Sequence, residues 1–268
     1  MLRQTRTLFL FSATVLCSTA SSCAFAQMPN TVQLNAAAPG KDGGLTGIAL
    51  ISTPQYQGSN ENWKLAVPII DYQWANGWFA GVSNGVGYNF SADPSFDYGV
   101  RLTGNLGRRE KRSKILRGMG DIKESAEVSA FFNFKITPNI GFSHSLSYGS
   151  GYDHRGMLFN LEANFSKTIG SRMRAGASLG ASYANDHYMQ DFFGVTAIQS
   201  QRSHLPQYSA KAGLRNTYVS AFVAYMVTDR TALSLVVNSD RLASDAKSSP
   251  LTKNVRSSSI VGAVTYHF

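Results

Sequence analysis

From Leu45 onward, apolar and polar residues alternate with a period of two, which is typical of β-strands and not of helices. In residues 140–149, every even position carries a large side chain and every odd position carries Gly or Ser. The same alternation predicts eleven strands, each about 9–14 residues long. They are 45–53, 63–74, 78–90, 96–107, 125–136, 140–149, 158–169, 172–184, 216–228, 231–242 and 257–268.

The length of these strands favours a membrane barrel over a soluble sandwich. A tilted strand needs about 9–11 residues to cross the hydrocarbon, whereas ordinary strands have about 5–6. One face of each strand is apolar and nearly free of charge, and the other is small and polar, as a narrow lumen would be. Aromatic residues near strand ends are typical of interfacial girdles. They are Trp63, Trp74, Trp78, Tyr88, Phe96, Tyr148, Tyr183 and Tyr266.

The strand count must satisfy a parity rule. Bacterial barrels have an even number of strands, short periplasmic turns and long external loops. Eleven strands would place the N-terminus outside the cell, so one strand is missing or one is spurious. We place the missing or spurious strand before residue 107, where Gly81, Gly85 and Gly87 interrupt the alternation of apolar and polar residues. We therefore expect an all-β, transmembrane antiparallel barrel of about twelve strands, with ten as the alternative.

The N-terminus resembles an export signal. Arg3 and Arg6 precede a short apolar run at 8–16, and Ala24-Phe25-Ala26 fits a cleavage site before Gln27. A membrane anchor and lipidation at Cys23 are the alternatives. We expect a signal peptide at 1–26, a flexible periplasmic segment at 27–43 and an outer-membrane barrel at 44–268.

Composition agrees with an exported barrel. Charged residues make up 15% of the chain and hydrophobic residues 43%, whereas soluble domains average about 25% charged. Cleavage would remove both cysteines and lower the formal net charge from +9 to +7. Two cysteines cannot build a disulfide or zinc scaffold. Because the chain is predicted to be exported, we expect no nucleic-acid partner in spite of its positive charge.

The last strand ends on an aromatic residue. Ile260, Val264, Tyr266 and Phe268 share one face, and this resembles the C-terminal signal that directs outer-membrane barrels to the barrel-assembly machinery. The alternative is a last buried strand of a soluble protein, although soluble chains seldom end within a strand. We expect the cell outer membrane of a Gram-negative bacterium as the location, with lipid and lipopolysaccharide around the barrel.

The segment 108–117 concentrates positive charge, with six basic residues and one acid. We expect this loop to be external, where Arg and Lys could bind lipopolysaccharide phosphates, and the alternative is a solvated loop. The lipopolysaccharide-contact candidates are Arg108, Arg109, Lys111, Arg112, Lys114 and Arg117.

Charged residues also occur on the predicted inward face. We favour a plug of salt bridges that fills a small barrel, because charges in a narrow lumen should pair. A selectivity filter is the other interpretation. The lumen charge candidates are Arg101, Glu127, Lys135, Glu162, Arg172 and Arg174.

No catalytic, metal-binding or cofactor-binding residue is predicted, and we expect a protein that is not an enzyme. His144 lies on the apolar face of its strand, so the flanking Ser143 and Ser145 point to the opposite face and cannot form a dyad with it. The remaining histidines of the barrel lack metal-ligand spacing.

Short motifs spread over the mature chain resemble the MipA/OmpV family. They include Gly47-Ile48-Ala49, 54–59, 67–72, 84–89, Gly118-Met119-Gly120-Asp121, 192–196 and Ser248-Ser249-Pro250-Leu251-Thr252. No single motif is diagnostic, but they occur in order.

The resemblance implies an outer-membrane barrel. Its MltA-interacting member is a scaffold that binds a lytic transglycosylase and a bifunctional peptidoglycan synthase, and other members are surface proteins. We therefore expect a scaffold or surface-interaction protein. A small porin is the alternative, and a lipid-modifying barrel enzyme is a third class for which the sequence offers no triad.

Overall fold

The computed structural model describes residues 40–93 and 95–268, and these residues form a closed barrel. Twelve strands follow one another around the barrel, each antiparallel to its neighbours. They are β1 Gly43–Pro54, β2 Asn62–Gln73, β3 Trp78–Gly81, β4 Gly85–Asn89, β5 Phe96–Asn105, β6 Ser125–Lys135, β7 Ile140–Ser150, β8 Gly156–Ile169, β9 Met173–Ala184, β10 Gly213–Met226, β11 Thr231–Leu242 and β12 Arg256–His267.

The first and last strands close the barrel. Leu45 pairs with His267, and Ser52 pairs with Ile260 eight positions along the ladder. The start of β1 and the end of β12 therefore lie at the same end, which is the periplasmic end in a bacterial barrel. The expected twelve-strand barrel is confirmed. The expected signal peptide and most of the segment 27–43 lie outside the described residues.

The strand that the sequence analysis missed lies within 78–90. This segment is a tight hairpin, β3 and β4, in which Gly81 pairs with Gly85. Gly85 adopts a φ of +75°, and a side chain there would collide with the Leu102 carbonyl oxygen of β5. The glycines that blurred the alternation are therefore those that let the chain reverse.

The outward face is apolar, as the alternation predicts. Outward side chains such as Leu179 and Val128 are 61% and 58% exposed, and in a membrane they contact lipid. Ile260, Val264, Tyr266 and Phe268 all lie on this face of the last strand. His144 is also outward, between the rings of Phe132 and Phe159.

The inward face differs from the expectation of a small polar lumen over one sector. Along β6 to β9 it is lined by Ser, Asn and Glu, as predicted. Along the middle of β11, β12, β1 and β2 it is mostly apolar, so this part of the wall is apolar on both faces. The buried members of this apolar sector are Leu45, Ala49, Ile51, Val67, Ile69, Val236, Val261 and Ala263.

The external loops carry short helices. They are α1 Asp186–Phe193, α2 Ala197–Ser203 and α3 Ser244–Ser248, and two 3₁₀ turns lie at Glu110–Arg112 and Lys114–Leu116. Asn185 caps α1 by accepting the Tyr188 N–H. Within residues 40–93 and 95–268, every helix is too short or too polar to cross a bilayer.

Candidate functional site

The external mouth of the barrel is covered by its own loops, which we call the cap: residues 55–61, 106–124, 151–155, 185–212 and 243–255. Its interior is apolar and tightly packed. Leu116, Met189, Phe193 and Leu251 are all fully buried, although none of them lies on a strand. Side chains of this size are buried in loops only when the loops form a core of their own.

Hydrogen bonds join the cap loops to one another. The Tyr56 hydroxyl donates to the Leu251 carbonyl over 3.0 Å, and the Ser249 hydroxyl donates to the Phe193 carbonyl over 2.6 Å. The Gln199 amide donates to the Met119 carbonyl over 2.8 Å. Because each bond links a different pair of loops, the cap is a single packed unit.

The side chain of Arg108 is buried in the cap and hydrogen-bonds to α1. It is 2% exposed, and its guanidinium donates to the Phe192 carbonyl at the end of α1 over 2.6 Å. Burial lowers the pKa of Arg108, while the nearby Tyr152 and Asp191 raise it. The prediction that Arg108 contacts lipopolysaccharide is therefore corrected, since its side chain points into the cap.

The other predicted lipopolysaccharide contacts fall into two groups. Arg109 pairs with Glu124, and the guanidinium of Arg112 lies 4.5 Å from the ring centroid of Trp63. These two residues hold the loop in place. Lys111, Lys114 and Arg117 are exposed at the external surface, and only they are wholly free to face lipid phosphates.

A layer of buried polar side chains, which we call the girdle, lines the barrel wall beneath the cap. Ser182 donates to Asn160 over 2.6 Å, Asn160 donates to Ser145 over 3.1 Å, and Ser129 lies 2.7 Å from Ser147. Ser129, Ser145 and Ser182 are at most 4% exposed. Each of these bonds joins neighbouring strands, so they form a polar ladder along the inner face of β6 to β9.

Arg215 lies at the centre of the girdle because of a β-bulge. The pairing of β10 with β9 shifts between Leu214 and Asn216, and the extra residue turns inward. Its guanidinium donates to the Tyr188 hydroxyl over 2.9 Å and to Asn216 over 2.7 Å. It therefore ties α1 of the cap to the barrel wall.

The buried carboxylates of the girdle hydrogen-bond to neutral donors. Glu127 accepts from Asn105 over 2.6 Å, and Glu162 accepts from the Tyr218 hydroxyl over 2.9 Å. Asp240 accepts from Asn216. At these three carboxylates, hydrogen bonds from amide and phenol groups therefore stand where salt bridges were expected.

The periplasmic half of the lumen contains a cavity of about 580 Å³. Glu162 lines its inner end, and Arg172, Arg174 and Lys135 line its periplasmic end, where all three are exposed. Arg101 also lines the cavity and lies 5.6 Å from the Phe131 ring centroid. The six predicted lumen charges all lie inward, but Glu127 belongs to the girdle and not to the cavity.

Four charged residues of the lumen were not among the predicted ones: Asp71, Asp97, Arg215 and Asp240. Asp97 and Asp240 follow the period-two pattern of their strands, so this pattern could have identified them as inward residues. Asp71 lies beside Pro68 and two isoleucines, which obscure the alternation. Arg215 could not be assigned because a bulge reverses the face of a residue without changing composition.

No group of three or more metal-ligating side chains occurs among the described residues. The cavity presents an apolar sector on β11, β12, β1 and β2 and cationic groups near its periplasmic end.

A model of the family described as "MltA-interacting protein MipA" matches residues 46–268. The chain belongs to this family. The match covers the barrel almost from the first strand to the last residue, and it confirms the resemblance that the motifs indicated. The protein is therefore an outer-membrane β-barrel of the MipA family.

The solved structures that match this chain include outer-membrane channels. The NanC porin is 10% identical, and the match covers 82% of this chain and 98% of the porin, with a TM-score of 0.47. An outer membrane channel from Pseudomonas putida F1 is 9% identical over 90% of this chain and 99% of the channel, with a TM-score of 0.46. The channel DcaP of Acinetobacter baumannii is 10% identical over 85% and 96%, with a TM-score of 0.38. No curated protein sequence matches this chain.

Proposed function

We propose that the protein is a non-conducting, non-enzymatic scaffold of the outer membrane that holds murein enzymes at its periplasmic end. The observation that carries the proposal is the closure of the external mouth. The cap has a fully buried apolar core, and Arg215 of the barrel wall bonds Tyr188 of the cap from beneath. A barrel closed in this way serves as a platform better than as a diffusion channel.

The periplasmic end has the charge that a docking face requires. Lys135, Arg172 and Arg174 are exposed there, around the opening of the cavity. Such a basic rim favours an acidic partner surface, because complementary charge speeds association and selects partners. The family is described by its interaction with MltA, and the resemblance implies a lytic transglycosylase and a peptidoglycan synthase as the partners to test first.

The test is co-purification after brief crosslinking of intact cells. The tagged protein should retain a lytic transglycosylase, and the triple variant Lys135→Glu, Arg172→Glu, Arg174→Glu should retain at least about tenfold less, on the scale of a 1.4 kcal/mol loss. The matched control is Lys211→Glu, Lys247→Glu, Lys253→Glu, which reverses three exposed external charges. Equal retention by both variants would show that the rim is not the docking face. Absence of murein enzymes from the wild-type sample would reject the scaffold role.

A small porin is the second candidate, and the cavity of about 580 Å³ is the observation that favours it. A solute would need a path from this cavity through the girdle and the cap. In that case, the wild-type protein would conduct ions in a planar bilayer without any alteration of the cap.

A further inference from the structure

The barrel wall is incomplete on its external half. β3 and β4 have four and five residues, whereas the other strands have 10–14. β2 pairs with β3 only at Asp71–Gln73, and one more bond joins the Val82 N–H to the Ile70 carbonyl. On that side, positions 62–69 of β2 have no strand partner among the described residues. The opening between this edge and β5 is called the gap.

The backbone of β2 is exposed to the gap at alternate residues. Because Ile70 directs its carbonyl to β3, Lys64, Ala66 and Pro68 direct their backbone groups the same way. Pro68 has no N–H, and proline within sheets is confined to such edges. Lys64 and Ala66 each keep an N–H and a C=O aimed at the gap. Hydrocarbon cannot satisfy these groups, so an occupant with polar groups is needed.

The side chains around the gap leave room for an occupant and suit its chemistry. Those facing lipid beside the gap are small, namely Ala66, Pro68 and Gly104. Behind the gap, Leu65 and Val82 belong to the apolar sector of the lumen. The gap is therefore a shallow apolar opening with a polar backbone edge.

Positive charge lies above the gap. Lys64 is exposed at its edge. The loop 106–124 contacts the external end of β2 through Arg112, which stacks on Trp63, and the same loop carries the exposed Lys111, Lys114 and Arg117. Since the external half of the barrel lies in the outer leaflet, these bases are at the depth of the lipid headgroups.

We propose that the gap is a binding site for a phosphorylated glycolipid of the outer leaflet, the lipid A part of lipopolysaccharide. One acyl chain lies in the gap against Leu65, Ala66 and Pro68. Hydroxyl and amide groups of the lipid bond the free edge of β2, and its phosphate contacts Lys64 and the exposed bases of the loop. This site is separate from the periplasmic rim and does not depend on the scaffold role.

The test is site-specific photocrosslinking in intact cells, with p-benzoylphenylalanine incorporated at one position at a time. Leu65 and Ile51 are a matched pair, because they face each other in the β1–β2 ladder and both point inward. Only Leu65 borders the gap, since the strand of Ile51 is paired on both sides. Leu50, which is 65% exposed toward lipid, reports general lipid labelling.

The proposal expects lipid A adducts at Leu65 and Leu50 and none at Ile51. Adducts at Leu50 without any at Leu65, or equal adducts at Leu65 and Ile51, would overturn it. Reconstitution with either lipopolysaccharide or phosphatidylglycerol identifies the source. Equal labelling at Leu65 in both would overturn the assignment to lipid A. Heat-modifiable gel mobility confirms that each variant is folded.

A charge series tests the phosphate contact. The variant Lys111→Ser, Lys114→Ser, Arg117→Ser should lower the lipid A adduct at Leu65 at least fivefold and leave the adduct at Leu50 unchanged. The variant Lys211→Ser, Arg241→Ser, Lys247→Ser removes the same charge from exposed external positions on the β9 to β12 side of the barrel, and should leave both adducts unchanged. Equal effects of the two variants would show that only overall charge matters.

Discussion

Individual polar residues inside the barrel determine whether its lumen is filled or open. Arg215 and Glu162 are the two most informative, because each is connected to partners on more than one element. Arg215 links Tyr188 of α1 to Asn216 of β10. Glu162 of β8 is 1% exposed and accepts the hydroxyl of Tyr218, which reaches it from β10 over Gly180 of β9.

Arg215→Ala should destabilise the folded barrel by about 2–4 kcal/mol, because it removes the buried hydrogen bonds to Tyr188 and Asn216. It also removes the positive charge that acts on Glu127 and Asp240. The measurement is the urea midpoint of unfolding in detergent, read by heat-modifiable mobility. Arg241→Ala is the control, since Arg241 is exposed and its loss should change stability by less than about 0.5 kcal/mol. Equal midpoints for the two variants would contradict a structural role for Arg215.

Tyr218→Phe should cost about 1–3 kcal/mol, because it leaves the buried Glu162 without its phenol donor. The same urea titration checks this prediction. Tyr225→Phe removes a hydroxyl from the same strand, but Tyr225 is 46% exposed on the outward face, so stability should be unchanged. A loss that is no greater for Tyr218→Phe would mean that the hydrogen bond to Glu162 contributes nothing.

Strands were predictable from sequence where one face meets lipid and the other meets a polar lumen. The long strands β6 to β9 meet this condition, and the predicted 140–149 is close to the observed Ile140–Ser150. The hairpin β3–β4 does not, since its strands are too short for a repeating pattern and its reversal depends on glycine backbone geometry. The packing of the cap was not predictable either, because it depends on contacts between loops distant in sequence.

Because one edge of β2 is unpaired, we expect proline to be tolerated there and not in a strand that is paired on both sides. Ala66→Pro should be tolerated, because its N–H faces the gap and Pro68 already occupies the same edge. Ala221→Pro should prevent folding or cost about 3 kcal/mol or more, because β10 is paired on both sides at Ala221. The yield of heat-modifiable protein in the outer-membrane fraction measures both effects. Equal loss for both variants would show that the β2 edge is paired within the protein.

At the scale of the whole molecule, the barrel is closed at one end and open at the other. The cap and girdle close the external end, while the cavity opens toward the periplasm between strands whose outward faces are apolar. This asymmetry distinguishes a platform from a channel. It also explains why the exposed inward charges lie near the periplasmic end, whereas the carboxylates of the girdle are shielded from solvent.

The measurement that tests this account most directly is single-channel recording of the purified protein in a planar bilayer. The wild-type barrel should show no steady conductance steps. A variant in which residues 186–209 are replaced by a short Gly-Ser linker, together with Arg215→Ala, should show them, because both the cap and the centre of the girdle are removed. Steady conductance by the unaltered protein would contradict the closed barrel and the scaffold role built on it.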